Sequence, residues 1–401
     1  MNDPTAAARP ALGLHDPVAI RHAGPDLLSL ALMNSRNRLL HLLAQDESPA
    51  ALRRAVRAGW YQEYWLSRHL QRRRGEACDV DGPRLAGIEP AVDEWLGPGS
   101  RPPPDALRAY LAQTLEITLD LLASSPDSDA ALYFFRMSLL HEDRLGSMLA
   151  ERLLPSGPPP RPQQQEILFG AQRWRLGSER QDGLVPYLER WAHEVDVPEF
   201  EIDAQPLNWA RFIEFSEDGG YDRAELWSPE GWAWVQAEGR RAPRHVEQLQ
   251  GGVVLQRGHG QRQAMVRASA AQPVTHLSRH EAQAWCAWAG RRLPTEPEWE
   301  LAVSQGRSRG LVWGDVFEWV AGGARCWPGA GVVPAGTSET LPLRPQAAVA
   351  AASAQPGPAI ALAVLRGASF CTPPRWRHPK SRRFVSPTQD RIYAGFRSCA
   401  I

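Results

Sequence analysis

The stretch PSGPPPRPQQQ, from Pro155 to Gln165, most constrains how this chain of 401 residues can fold. Proline fixes φ and lacks a backbone N–H, so the stretch cannot continue a helix and predicts a stiff linker. The segments on either side differ in pattern, and the chain is too long for one ordinary hydrophobic core. We therefore expect two domains joined by a linker over residues 155–170.

The segment before the linker has a helical pattern. Four runs carry apolar residues at spacings of three and four, and each is bounded by Pro, Gly, Asp or Ser. They begin with the letters LLSLALMN, ALRRAVRA, PDALRAYL and SDAALYFF. A connection rich in Pro and Gly, residues 75–104, separates the second run from the third. The pattern predicts a four-helix bundle over residues 26–154, preceded by a tail of residues 1–25.

The segment after the linker, residues 171–401, is rich in Trp and Gly and has few long periodic runs. Its two clearest helices are NWARFIEFSEDGG and SRHEAQAWCAWAGR, and the rest is typical of short strands and loops. Thr295 precedes Pro-Glu-x-Glu, which predicts a capped helix N-terminus. The low-complexity stretch LRPQAAVAAASAQPGPAIALA predicts a mobile surface loop. The whole chain is therefore expected to belong to the α+β class.

Composition narrows the class of partner. Forty-five basic and forty-five acidic residues cancel, so no overall field favours nucleic acid or an anionic membrane. We find neither a signal peptide nor a run near the roughly 20 apolar residues that span a bilayer. The five cysteines form no C-x-x-C pair, which argues against a disulfide framework and a cysteine zinc site. We expect a cytoplasmic protein whose partner is a small molecule or a protein.

Several longer stretches carry a family resemblance. HEAQAWCAWAGRRLPTEPEWELAV, WGDVFEWV and VLRGASFCTPP…YAGFRSCA resemble, in this order and spacing, the formylglycine-generating-enzyme or sulfatase-modifying-factor domain, which implies a C-type-lectin-like fold. GWYQEYWLSRHLQRRRG, LYFFRMSLLHED and RWAHEVDVPEFEIDAQPLNWARFIEFSEDGGYD are similar to selenoneine and ergothioneine synthases, with selenoneine synthase the closer of the two. The resemblance implies a DinB-type helix bundle and iron- and oxygen-dependent joining of hercynine to a sulfur or selenium donor.

The same resemblance implies an Fe(II) site of three histidines in the bundle. Carried over residue by residue, these ligands fall on Arg57, His141 and Leu145. Arginine stays cationic and has no lone pair to donate, and leucine has no donor atom. Only His141 therefore remains as a metal ligand. His41 and His69 lie in predicted bundle helices and are the candidates for substitute ligands, although a lone helical histidine is more often a structural residue.

Further pocket candidates follow from the residues around these positions. A guanidinium beside the retained histidine predicts a basic pocket for a carboxylate or phosphate. On the substrate side, the stretch RFVSPTQDRIYAGFR has glutamine where the resemblance leads us to expect arginine. The pocket candidates are Arg57, Tyr61, Gln389, Asp390 and Arg391. We expect them to contact a small polar or zwitterionic molecule.

The second chemistry known for this type of domain is copper bound to paired cysteines. It requires two thiols five residues apart after a GGS-like turn. Here Cys371 follows the letters GAS alone, and Thr372 and Arg377 stand where the pair would be. Copper-dependent formylglycine formation is therefore not expected.

Three interpretations stay open on the sequence alone, and whether the chain is an enzyme is undecided among them. The first is an oxidoreductase that forms C–S or C–Se bonds on hercynine with iron bound at His141. The second is a non-catalytic or repurposed homologue that binds a small polar ligand or a protein partner in the interdomain cleft. The third is a protein whose differences from the family reflect drift without a selected function.

Overall fold

The computed structural model describes residues 13–79, 81–97, 99–153, 157–249, 252–257, 264–330 and 362–401. Residues 1–12 of the predicted tail lie outside this description. So does most of the low-complexity stretch for which a mobile loop is predicted. We refer below to residues 13–153 as the N-terminal part and to the described residues from 157 onward as the C-terminal part.

The N-terminal part is helical. Its α-helices in the described residues are α1 Pro17–Arg21, α2 Pro25–Leu43, α3 Pro49–Gln62, α4 Val92–Trp95, α5 Pro104–Ala123 and α6 Asp129–Leu153. A π-helical turn, Glu63–Ser67, extends α3, and a 3₁₀ helix follows at Arg72–Ala77. The helices α2, α3 and α5 begin with proline, whose fixed φ suits the first turn.

Four long helices, α2, α3, α5 and α6, form the body of the N-terminal part and lie where the apolar periodicity predicts helices. The helix α2 packs against α5 and α6, and α3 packs against the same two helices. Their apolar stripes enclose two clusters of buried side chains. Trp376 of the C-terminal part joins the first cluster, and Tyr393 joins the second. The hydrophobic interior therefore continues across the boundary between the two parts.

The C-terminal part combines short strands with four α-helices in its described residues. The helices are α7 Trp209–Glu217, α8 Pro229–Glu238, α9 Arg279–Trp288 and α10 Glu296–Gln305. The strands are β1 Ile167–Phe169, β2 Gln172–Leu176, β3 His193–Val197, β4 Phe200–Ile202, β5 Val246–Gln248, β6 Val253–Arg257, β7 Ala264–Ala268, β8 Phe317–Gly323, β9 Ala363–Arg366, β10 Arg382–Val385 and β11 Ala394–Gly395. Helices and strands in one part agree with the expected α+β class.

The largest described sheet has the strand order β10-β9-β8-β11. The strand β9 is antiparallel to both β10 and β8, and β11 runs parallel to β8. All four residues of β9 are buried, as expected for a central strand covered on both faces. The other described strands form the pairs β1–β4 and β2–β3 and the three-stranded sheet β5-β6-β7.

Local signals explain where the two helices beside this sheet begin. Ser278 and Glu281 form a reciprocal capping box at the start of α9, and Thr295 and Glu298 form another at α10. The cap predicted at Thr295 is therefore confirmed. Gly367, after β9, has φ +77°, and a Cβ there would lie 2.9 Å from the Trp299 ring, so glycine is required at this turn.

Polar contacts hold the linker against later residues of the C-terminal part and join the N-terminal part to the C-terminal part. Arg161 of the linker forms two hydrogen bonds with Asp315, at 2.7 and 2.8 Å. In the N-terminal part, Arg21 pairs with Glu189 at 2.7 Å, and Arg38 donates to the backbone oxygen of Cys371. No helix in the described ranges combines the length and hydropathy needed to cross a lipid bilayer.

Candidate functional site

The sequence His-Glu-Asp-Arg, residues 141–144, occupies the middle of α6. Successive side chains of a helix are about 100° apart, so these four residues point in four directions. The first three are buried, with at most 2% of each residue exposed, and the fourth is largely buried. Each has a different environment, and together they define what this site can do.

His141 lies between α6 and α3. Its ring stacks on Tyr61, with ring centroids 4.4 Å apart, and the imidazole is hydrogen-bonded to the backbone of Arg57. Its Nε2 has no hydrogen-bond partner among the described residues. Burial, with a smaller contribution from the positive charge of Arg144, lowers the pKa of His141 to about 3. The ring is therefore neutral at physiological pH and can offer one lone pair.

The two other positions that the resemblance assigns to iron do not complete a ligand set. The side chain of Arg57 is exposed, and only its backbone meets the His141 ring. Leu145 is 2% exposed and packs in an apolar cluster with Leu39 and Leu149. Among the residues that the structure describes, no group of three or more His, Cys, Asp or Glu side chains could hold a metal ion. These residues do not fit the implied Fe(II) site.

The two candidate substitute ligands, His41 and His69, form contacts with other residues. His41 is exposed and its Nε2 lies 2.9 Å from the side-chain nitrogen of Gln45. His69 is buried, with Nε2 3.0 Å from the Asp79 backbone oxygen and Nδ1 accepting from the Gln71 N–H. Both nitrogens of His69 are thus used locally. Neither histidine supplies the missing positions around His141.

Glu142 points away from His141, about 100° further round α6, and joins three helices. Its two carboxylate oxygens accept from Arg36 of α2 at 2.7 and 3.0 Å. Gln62 of α3 donates to the same carboxylate at 2.8 Å and accepts from Arg36. The ion pair is fully buried, with side-chain exposure of 1% for Arg36 and 0% for Glu142. Glu142 is a structural residue of the helical core.

Asp143 connects α6 to the C-terminal part. Arg375 donates to both oxygens of its carboxylate, at 2.6 and 2.8 Å, and the indole N–H of Trp376 donates at 2.7 Å. Ser35 of α2 donates a further hydrogen bond. Sequence reasoning did not single out Asp143, because no local signal relates it to an arginine 232 positions later in the chain.

Arg144 faces a cavity of about 80 Å³ between the two parts. Leu140, one turn earlier on α6, lines the same cavity, and Phe317 and Arg383 line it from the C-terminal part. No described residue gives Arg144 a hydrogen bond or an ion pair. Burial, and then the charge of Arg383, lower the pKa of Arg144 to about 10, so the side chain remains a cation at neutral pH.

The three pocket candidates near the C-terminus lie away from this cavity. The buried carboxylate of Asp390 forms ion pairs with Arg240 and Arg244. Arg391 is exposed, and its backbone N–H donates to the side-chain oxygen of Gln389 at 3.3 Å. None of these three candidates lines the cavity beside Arg144. Asp390 is accounted for by its two arginine partners.

The copper interpretation has no support in the geometry. Cys371 is buried beside the helical part, in the same apolar cluster as Leu145. Arg377, where a second thiol would be needed, donates to the backbone oxygens of Phe370 and Thr372. The guanidinium of Arg377 therefore stabilises this turn. Cys371 has no second thiol at the position that a copper site of this type requires.

Comparison with known proteins defines the class first. Residues 158–321 match the family model of the sulfatase-modifying factor enzyme 1-like domain. The inactive C-alpha-formylglycine-generating enzyme 2 of Bos taurus is 32% identical over 158 residues, which cover 37% of this chain and 49% of that protein. The C-terminal part therefore contains a domain of the formylglycine-generating-enzyme type, as its motifs predict.

Two longer matches extend to the N-terminal part. The hercynine oxygenase of Mycobacterium tuberculosis is 33% identical over 431 residues, covering 93% of this chain and 98% of that protein. The hercynine oxygenase of Mycolicibacterium thermoresistibile is 33% identical over 368 residues, covering 80% and 77%. This chain belongs to the hercynine oxygenase family. The predicted membership of the ergothioneine-synthase-like family is thereby confirmed.

Proposed function

We propose that this protein uses the hercynine-oxygenase scaffold to bind a small polar or zwitterionic molecule between its two parts, without the iron-dependent oxidation that the family resemblance implies. The observation that carries the proposal is the burial of Leu145 in an apolar cluster, four residues after His141. The position that would present a second imidazole on the same helix face presents a hydrocarbon instead.

The chemistry of the remaining donors supports this proposal. A non-haem iron site of this kind needs several nitrogen or oxygen ligands that converge on one ion. His141 offers one neutral nitrogen, and the charges that lower its pKa, those of Arg144 and Arg57, are cations that would also repel a divalent ion. Glu142 and Asp143, the adjacent carboxylates, are bound by Arg36 and by Arg375. A small ligand in the cavity beside α6 would bind near the position that the resemblance assigns to iron, and it would need no metal.

A second candidate function keeps the family's activity, the oxidative formation of a C–S or C–Se bond on hercynine. The match along 93% of the chain favours it, together with the Nε2 of His141 that no described residue occupies. Within this candidate, our narrower proposal is selenoneine formation. Fe(II) would then depend on ligands other than those at positions 57 and 145.

Three further expectations remain proposals. We assign residues 26–154 to a DinB-like four-helix bundle, residues 155–170 to the linker and residues 171–401 to the lectin-like domain. We also propose that the protein works in the cytoplasm. A protein partner, such as a catalytically competent relative, is the remaining version of the binding hypothesis.

Metal content tests the proposal directly. We would reconstitute the full-length protein anaerobically with ferrous iron, remove unbound metal and measure iron per chain in the wild type and in His141→Ala. A family member that carries all three histidines serves as the positive control. We expect far less than one iron per chain in both proteins and no oxygen consumption with hercynine and a thiol or selenol.

The opposite result is equally clear. One tightly bound iron per chain in the wild type that is lost in His141→Ala would overturn the proposal in favour of the second candidate. A Glu47→Gln variant, altered at an exposed ion pair of the N-terminal part, controls for effects of purification and refolding.

A further inference from the structure

The cavity beside Arg144 is built by both parts of the chain. From the N-terminal part it receives Arg21, Leu140 and Arg144, and from the C-terminal part Phe317 and Arg383 are among its lining residues. Its volume of about 80 Å³ is enough for several water molecules or one small oxyanion, because a cavity needs about 10–15 Å³ to hold one water molecule. A ligand here would contact both parts at once.

The wall of the cavity carries more positive than negative side chains. Besides Arg144 and Arg383, the charged lining residues are Arg21, Glu189 and Arg382. Arg21 pairs with Glu189, so these two charges cancel. The guanidinium of Arg382 is held by a carboxylate behind the wall, that of Glu296, at 2.6 and 2.8 Å.

The carboxylates next to the cavity already accept hydrogen bonds from other residues. One oxygen of Glu189 accepts from Arg21 and Ser178, and the other accepts from Ser381. Asp143, which precedes Arg144 in the chain, is held by Arg375 and Trp376. These carboxylates therefore accept hydrogen bonds from other residues, and Glu189 acts on Arg144 through its charge without a direct ion pair.

Arg144 and Arg383 face the same space from opposite parts. The guanidinium of Arg383 lies 4.0 Å from the centre of the Phe317 ring, which orients it at the wall. Arg144 is largely buried and makes no hydrogen bond or ion pair with a described residue. Two nearby cations in a confined space repel each other, and an unpaired buried cation is costly, so an anion between them would be stabilised by both.

We propose that Arg144, with Arg383 on the facing wall, binds a small oxyanion, the carboxylate or phosphate group of a ligand, in the cavity between the two parts. The planar fork of arginine donors matches both kinds of oxyanion. This inference rests on the proposed function, because it names the chemical class that the small ligand carries. It also moves the basic pocket expected at Arg57 to Arg144, three residues after His141.

Thermal unfolding in defined anions tests this site. We would compare the melting temperature of the full-length protein in chloride with that in inorganic phosphate and in acetate, at equal ionic strength and pH. The variants are Arg144→Met, Arg383→Met and, as the matched control, Arg173→Met, whose side chain is 68% exposed on β2. Phosphate and acetate separate the two sources of the oxyanion.

We expect at least one of the two anions to raise the melting temperature of the wild type and of Arg173→Met by about 2 °C or more at concentrations well above Kd. The rise should disappear in Arg144→Met and shrink in Arg383→Met. In chloride alone, Arg144→Met should melt no lower than the wild type, because it removes an unpaired cation. Stabilisation by acetate alone would identify a carboxylate ligand, and stabilisation by phosphate alone a phosphorylated one.

Equal stabilisation of the wild type and Arg144→Met, or none in the wild type by either anion, would overturn the inference. If Arg144→Met does not fold, the same comparison with Arg383→Met decides the question. The iron measurement is independent of this test. Bound iron together with Arg144-dependent anion binding would reject only the proposed function, and absence of both would reject only the oxyanion site.

Discussion

The imidazole of His141 is held neutral by its surroundings. Tyr61 covers one face of the ring, and burial lowers the pKa to about 3. In an unfolded chain the same group titrates near 6.5. Between these two pH values the unfolded state binds a proton that the folded state excludes, so the free energy of unfolding must fall as the pH falls through this window.

This linkage predicts a pH-dependent difference between the wild type and His141→Phe. As the pH falls from 6.5 towards 3, the wild type should lose up to about 1.4 kcal/mol of unfolding free energy per pH unit relative to the variant. Urea denaturation at pH 7, 6 and 5 measures it. His280 and His378, whose pKa values are also lowered by burial, are present in both proteins and cancel in the comparison. Parallel pH profiles would contradict this account of His141.

Among the secondary-structure elements, α6 carries four successive polar side chains into four different surroundings. One face carries His141 against α3, a second carries Glu142 into the helical core, a third carries Asp143 to the C-terminal part, and a fourth carries Arg144 into the cavity. The helix is therefore buried on most sides. Polar side chains can occupy such a helix only where partners satisfy them. Arg144 is the residue of these four that makes no hydrogen bond or ion pair with a described residue.

The buried pair between α6 and α2 predicts a large effect of a single substitution. Glu142→Leu leaves the Arg36 charge buried without its carboxylate, and we expect a loss of about 3–5 kcal/mol in the free energy of unfolding by guanidinium chloride. Glu47→Leu, at an exposed pair with Arg108, should cost much less, because solvent screens the pair. The double variant Arg36→Leu, Glu142→Leu should regain part of the loss. Similar small effects at both pairs would contradict the stabilising role of the buried Arg36–Glu142 pair.

At the level of the whole molecule, the two parts are joined by polar contacts and by shared apolar clusters. Asp143 receives hydrogen bonds from Arg375 and Trp376, and the Trp376 ring extends an apolar cluster of the N-terminal part. The cavity with Arg144 lies at this same boundary. The contact between the two parts and the proposed oxyanion site therefore depend on adjacent residues of α6, Asp143 and Arg144.

Substitution of Asp143, whose carboxylate binds Arg375, should weaken the contact between the two parts. In Asp143→Asn, Arg375 loses the charge that it pairs with, and we expect a loss of about 3–5 kcal/mol in stability. Differential scanning calorimetry should show a lower melting temperature and a broader or divided transition. Asp196→Asn, at a carboxylate that is 87% exposed, should leave the trace unchanged. An unaltered trace in Asp143→Asn would mean that the apolar clusters alone hold the parts together.

Local patterns in the sequence were enough for much of the fold. The proline-rich stretch marks the boundary between the two parts, the apolar periodicity locates α2, α3, α5 and α6, and Thr295 predicts the start of α10. The motifs of the C-terminal part identify its domain type, and the matches with relatives confirm it. These features depend on backbone hydrogen bonding and apolar spacing within a few helical turns, so the chain itself specifies them.

The candidate site depended on tertiary structure. The sequence determined that Leu145 cannot bind iron. It did not determine that Asp143 forms an ion pair with Arg375, or that Asp390 forms ion pairs with two further arginines. It also did not distinguish Arg144 from the many other arginines of the chain. Which carboxylate each guanidinium finds is decided when segments far apart in the chain come together. Only the folded molecule therefore shows which cation is left for a ligand.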